Sequence, residues 1–258
     1  MLARSTTLCI SFALATLTTV VASMPGCAQP LVNCSSAHGA YAATFELTSG
    51  DASSACGQLV GDVIGMQTYF TEGGVNGTPM YDKAKVAIRA ESMGLLIERA
   101  ALADIADTTD GHTANALGDF TAGYPAEDEF CEIPEFSAAE ISLPEIPEIP
   151  DDPETEEDDT VPAQPATSVR YEWRNARILV SANAQGTQFS ADLTYTQDGC
   201  TAEYHVVGVY PAVGCELDEE CTADDSGINP DFPTRCHAEL GLCVLVGEPP
   251  AFEADVEA

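Results

Sequence analysis

The chain is 258 residues long and sets 42 Asp and Glu against 9 Lys and Arg, a formal net charge of −33. So few cations exclude binding to nucleic acid, which needs clustered Lys and Arg on the phosphates, and electrostatic docking on anionic headgroups. An apolar share of 45 % is enough for a packed core, and beyond the N-terminus no stretch reaches the roughly 20 apolar residues of a membrane-spanning helix.

Met1 to Arg4 carries one positive charge, and Leu8 to Ala22 is fifteen residues without any. Small residues and Met24-Pro25-Gly26-Cys27 follow, after which the composition turns polar. A basic start, a short apolar stretch and a small-residue cleavage zone read as a secretory signal over residues 1–26. Gly26-Cys27 resembles the cleavage box of bacterial lipoprotein precursors, roughly Leu-Ala/Ser-Gly/Ala-Cys; Met24 and Pro25 differ from it. The resemblance covers residues 1–27 alone. It implies export, lipidation of Cys27 and the membrane as partner through that lipid. Ala28 after the cysteine implies the bacterial outer membrane or cell surface. Cleavage after Ala22 is the alternative and would give a periplasmic or secreted protein.

Cysteine parity bears on the choice. Cys9 lies in the signal, and acylation of Cys27 would leave eight: Cys34, Cys56, Cys131, Cys200, Cys215, Cys221, Cys236 and Cys243. Eight thiols of an exported chain can form four disulfides, whereas cleavage after Ala22 leaves an odd one.

Along the mature chain, Tyr41, Ala43, Phe45 and Leu47 alternate with polar or small residues up to Ser49-Gly50-Asp51, which predicts a strand. Val63 to Phe70, Lys85 to Ala90 and Ala114 to Gly123 read as further strands. Ser92 to Ala106 suits a helix that buries Leu95, Leu96, Ala100 and Leu102. Leu143 to Gln164 holds five prolines, nine acids and no basic residue. Fixed φ angles and like-charge repulsion predict an extended, solvated linker or loop over 141–167. Val169-Tyr171-Trp173, Ala176-Ile178-Val180 and Phe189-Ala191-Leu193-Tyr195 alternate in turn. Turns at Asn183–Gly186 and Asp198-Gly199 join them to Tyr204–Val209, an antiparallel meander over 168–212.

Four cysteines lie between Cys215 and Cys243 among few large apolar side chains, a segment suited to covalent stapling. It resembles the small disulfide modules of secreted and surface proteins. The expected pairs are Cys215–Cys236 and Cys221–Cys243, with Cys34–Cys56 across the first hairpin and Cys131–Cys200. The fold class is therefore mainly β (α+β), an antiparallel sheet or sandwich with one helix. Its parts are an N-terminal β-rich region 27–140, the linker, the meander, a Cys-rich module 213–246 and a disordered acidic tail 247–258.

Chemistry is sparse. No Cys-x₂-Cys pair suggests zinc, no catalytic motif is present, and His38, His112, His205 and His237 are scattered. Asp218, Glu219, Glu220, Asp224, Asp225 and Asp231 offer hard oxygen ligands, a weak case for calcium without the EF-hand order. Arg170, Arg174 and Arg177 are expected to pair with the acidic linker. The reading is a non-catalytic exported lipoprotein with a structural or binding role and no cofactor. The alternatives are a small-ligand barrel or sandwich lined by Tyr41, Phe45, Tyr171, Trp173, Phe189 and Tyr204, and more remotely an extracellular hydrolase.

Overall fold

The computed structural model describes residues 32–105, 114–150, 160 and 162–253; the expected signal over 1–26, Cys27 and His112 lie outside them. The strands are β1 (Gly39–Ser49), β2 (Gly61–Thr71), β3 (Met80–Ala90), β4 (Ala116–Asp119), β5 (Phe130–Glu135), β6 (Ala139–Leu143), β7 (Thr167–Val180), β8 (Gln185–Gln197) and β9 (Cys200–Val209). All nine join one antiparallel sheet in the order β4-β3-β2-β1-β9-β8-β7-β5, with β6 also on β7. β5 and β6 line the same edge of β7, from Phe130↔Leu179 to Leu143↔Thr167, and act as one interrupted strand. The seam between β4 and β5 is held by Ser137 N–H to Leu117 O at 2.9 Å, Thr121 N–H to Glu132 O at 3.0 Å and a bridge at Gly118↔Phe136. The result is an eight-stranded up-and-down barrel, nearly closed, in which the first strand pairs with the last.

Period-two alternation decides which side chains face inward. Tyr41, Phe45, Ile64, Ile88, Ile133, Ile141, Tyr171, Trp173, Phe189 and Tyr204 are all buried in one core. The aromatic residues touch one another: Phe45–Trp173 at 6.4 Å, Phe45–Tyr204 at 5.8 Å, Tyr41–Phe189 at 5.4 Å and Tyr171 stacked on Trp173 at 6.2 Å. Along β7 the inward phase changes from Trp173 to Ala176, and the pairing with β8 shifts between Arg174 and Arg177. Asn175, at φ 50°, is the extra residue of a β-bulge that keeps both halves of the strand facing in.

Strands of the N-terminal part and of the meander complete one ring. The expected solvated linker is packed at both ends. Ile141, Leu143 and Ile146 are buried, and Ile146 pairs with Gln164 in both directions at 2.8 and 2.9 Å. Apolar residues spaced between the acids let this segment pack while the carboxylates stay in water; 151–159 and 161 lie outside the described residues. The tail is corrected over 247–253. Ala251 is buried, and the Gln188 side-chain amide holds its backbone N–H and C=O at 2.9 and 2.8 Å, as a neighbouring strand would.

The helix α1 (Glu91–Leu102) buries Met93 and Ala100, with Leu96 and Ile97 half-buried, one stripe at helical spacing. Leu95 and Leu102, expected inside, lie off that stripe and are exposed. The C-terminal module, with the one-turn helix α2 (Asp218–Cys221) and the hairpin of β10 (Thr234–His237) and β11 (Leu242–Leu245), lies on the outside of the barrel. There Ile228, Phe232, Val244 and Leu245 cover the outward side chains Ala42, Leu179, Val207 and Val209 in a second apolar cluster.

One glycine shows how tightly the interior is filled. A Cβ on Gly208 of β9 would lie 2.1 Å from Cε1 of the fully buried Phe189. Gly208→Ala is expected to lower stability by about 1–3 kcal/mol through overpacking, read as a shift of the urea-unfolding midpoint. A change within experimental error would show a looser interior than described.

Candidate functional site

A barrel has two open ends, and here the polar side chains gather at them. At the end where β1 begins and β9 finishes, residues 32–38 cross the opening. Cys34 N–H donates to Gly123 O at 3.0 Å and Ala37 N–H to Gly186 O at 2.9 Å. The Tyr41 hydroxyl, buried inside, donates to Ala37 O and Gly186 O, and burial raises its pKa far above the free phenol. Cys34 is joined to Cys131 on β5, with Cα atoms 5.5 Å apart.

At the opposite end α1 and the 3-10 turn Ala55–Gly57 form the plug. Cys56 of that turn is joined to Cys200 at the start of β9, with Cα atoms 5.8 Å apart. Tyr204 Oη donates to Cys56 O and accepts from Leu59 N–H at 3.2 Å. Asp62 Oδ2 accepts from the Ser92 hydroxyl at 2.6 Å and its N–H at 3.3 Å, and Ser92 Oγ meets Tyr171 Oη at 2.8 Å. Burial raises the Asp62 pKa, while these bonds and one from Val63 oppose the rise. The carboxylate supplies the start of α1 with the acceptor that its N-cap residue, Ala90, has no side-chain oxygen to provide.

The eight cysteines from Cys34 onward are all paired. Cys215–Cys236 and Cys221–Cys243 match the sequence expectation. Cys34–Cys56 and Cys131–Cys200 are replaced by Cys34–Cys131 and Cys56–Cys200. The correction has a geometric cause: Cys34 and Cys56 stand at opposite ends of the same barrel. The one side-chain group with metal-ligand proximity among the described residues, Cys215, Cys221 and Cys243, consists of disulfide sulfurs.

Two of the six acids weighed for calcium hold backbone N–H groups. Glu220 Oε2 accepts the N–H groups of Glu216 and Leu217 at 2.6 and 3.1 Å, and Asp218 Oδ1 that of Cys236 at 2.8 Å. The arginine cluster has acidic partners outside the linker. Among the described residues, Arg170 pairs with Glu140 and Glu172, Arg174 lies 3.9 Å from Glu203, and Arg177 pairs with Asp128 while covering the Phe130 ring. Glu140 stands directly across from Arg170 in the β6–β7 register, Glu172 lies two residues on along β7, and Asp128 sits in the loop just before β5.

The match to known proteins follows the barrel. Residues 39–211 match the MlpA family, a range that starts with the first residue of β1 and ends two residues past β9. The chain belongs to the MlpA family. A Myxococcus xanthus protein named "Putative lipoprotein MlpA" is 29 % identical over 184 residues, 68 % of this chain and 69 % of the relative. No solved structure matches the chain. The MlpA-family match thus contains all nine barrel strands and the α1 plug, while residues 32–38 and the stapled module lie outside it.

Sequence reasoning missed His205 as a link between barrel and tail. On β9 it faces outward, with Nε2 at 2.9 Å from Glu248 and Nδ1 at 3.5 Å from Asp192. Burial lowers its pKa, but the two carboxylates outweigh that and leave it raised. A raised histidine pKa stabilises the fold below the free value of about 6.5, and the contribution disappears as pH rises through the folded value. Thermal unfolding of the intact protein is expected to lose about 0.2–1 kcal/mol in this window. His205→Gln should remove that pH dependence, and an unchanged pH profile in the variant would refute the link.

Proposed function

We propose that this chain is an exported bacterial lipoprotein, acylated on Cys27, whose barrel plays a non-catalytic structural or binding role at the outer membrane or cell surface. The observation that carries the reading is the cysteine inventory. All eight cysteines after Cys27 are used in four disulfides, so Cys27 is the one mature-chain cysteine left for another fate. Disulfides fit an oxidising compartment, and membership of the MlpA family, with a relative named as a lipoprotein, supports the anchor. A multiply acylated cysteine gives durable attachment, since each buried CH₂ contributes about 0.8 kcal/mol.

A filled interior favours a scaffold whose outer surface and loops do the work. The ligand-binding alternative has one observation in its favour: the buried Trp173 Nε1–H has no hydrogen-bond partner among the described residues. The mutual packing of the interior aromatic rings argues against it.

Intact mass spectrometry of the mature protein from its native membrane tests the proposal. The expected chain starts at Cys27, carries a diacylglyceryl addition and lacks eight hydrogens relative to the reduced form. A start at Ser23, or free thiols, would contradict it.

A further inference from the structure

We infer that the barrel end where the N-terminal segment enters is a membrane-contact surface, whose occupant is the phospholipid interface of the bilayer holding Cys27. The inference rests on the lipid-anchor reading and adds an orientation and a set of contact residues to it.

The path of the tether comes first. Cys34 is fixed to β5 by its disulfide, and its N–H to Gly123 O bond seats it beside Tyr124. Two residues later, Ser36 N–H donates to Thr68 Oγ1 at 2.8 Å, next to Tyr69 and Phe70 of β2. The anchoring segment therefore enters between the β4–β5 loop and the β2–β3 hairpin. Cys34 is seven positions along the chain from Cys27, a reach of at most about 25 Å when fully extended. An acyl group at Cys27 keeps this end, and not the α1 end, within that distance of the lipid.

The surface around the entry point suits such a neighbour. β1 and β2 part company at Gly39↔Met66, so the tip of the β2–β3 hairpin continues past the rim of the ring. That tip exposes Tyr69 (51 %) and Val75 (82 %), and Phe70 packs edge-on against Tyr81 at 5.3 Å. Across the opening Tyr124 is 50 % exposed. Tyrosine places an apolar ring and a polar hydroxyl at the depth where hydrocarbon meets headgroup. Charge is not the attraction: Glu72 and Asp82 outnumber Lys83 at the tip, and the chain is strongly acidic. Apolar contact of a few rings, already held at high local concentration by the tether, needs no cationic patch.

The test uses the acylated full chain with single cysteines introduced at exposed sites, Val75→Cys on the hairpin tip and Leu95→Cys on α1. With the native thiols disulfide-bonded or acylated, each variant offers one thiol for a polarity-sensitive fluorophore. The proteins are reconstituted in phosphatidylcholine vesicles containing nitroxide-labelled lipid and separated by flotation. The expected result is co-flotation of both, with blue-shifted and quenched emission at position 75 and neither change at 95. Co-flotation with no quenching at 75 would overturn the contact surface and leave the anchor standing. Equal quenching at both positions would overturn the orientation. Failure to float would overturn the anchor and this inference with it.

Discussion

A ring of antiparallel strands has no edge to protect but two ends to fill, and the covalent fixing of those ends is the constraint on which this structure depends. Cys34–Cys131 and Cys56–Cys200 span 97 and 144 residues. In the chain-entropy account, closing loops of that length removes about 5 kcal/mol each from the unfolded ensemble, against about 3 kcal/mol for loops the size of those in the C-terminal module. The long bridges also act locally. One holds residues 32–38 across the opening at the start of β1, and the other holds the 3-10 turn over the opening at the start of β9. Each is accompanied by a buried tyrosine hydroxyl, Tyr41 or Tyr204, that bonds to plug backbone carbonyls and leaves few polar groups unsatisfied.

With both ends closed, the interior is a packed core. Phe189 occupies the space that a side chain at position 208 would need, and Trp173 lies among Phe45 and Tyr171. An eight-stranded barrel is just wide enough for its own side chains, or for one small ligand in their place; the aromatic residues take the first course here. On the exterior two features stand out. The stapled module covers an apolar patch on the outer wall, and the aromatic hairpin tip lies beside the N-terminal segment 32–38.

Much of this fold was legible in the residues. The alternation from Val169 to Val209 marks β7 to β9, and Asp198-Gly199, both at positive φ, forms the two-residue turn that the dipeptide suggests. The aromatic residues weighed as the lining of a ligand site, Tyr41, Phe45, Tyr171, Trp173, Phe189 and Tyr204, pack into the core. What could not be read is whatever depends on closure of the ring. β5 is short and carries Pro134, and β6 alternates only over Ala139, Ile141 and Leu143, five residues that run straight into the proline-rich acidic stretch. Their strand character comes from β7, which offers each an unpaired edge. The disulfide partners of Cys34 and Cys56 depend on which barrel end each occupies, and sequence proximity points to the wrong pair. Ile141, Leu143 and Ile146 were hidden among acids whose charge dominates the composition. Asp62 at the α1 end and Gln188 on the outer wall serve backbone that is distant in sequence, and no local pattern marks them.

Peptide mapping under non-reducing conditions is the most direct test of the closed, plugged barrel. Proteolysis of the oxidised protein should release a fragment linking the Cys34 and Cys131 peptides and another linking those of Cys56 and Cys200. Linkage of Cys34 to Cys56 and of Cys131 to Cys200 would place the same sulfurs on a different architecture and contradict the account.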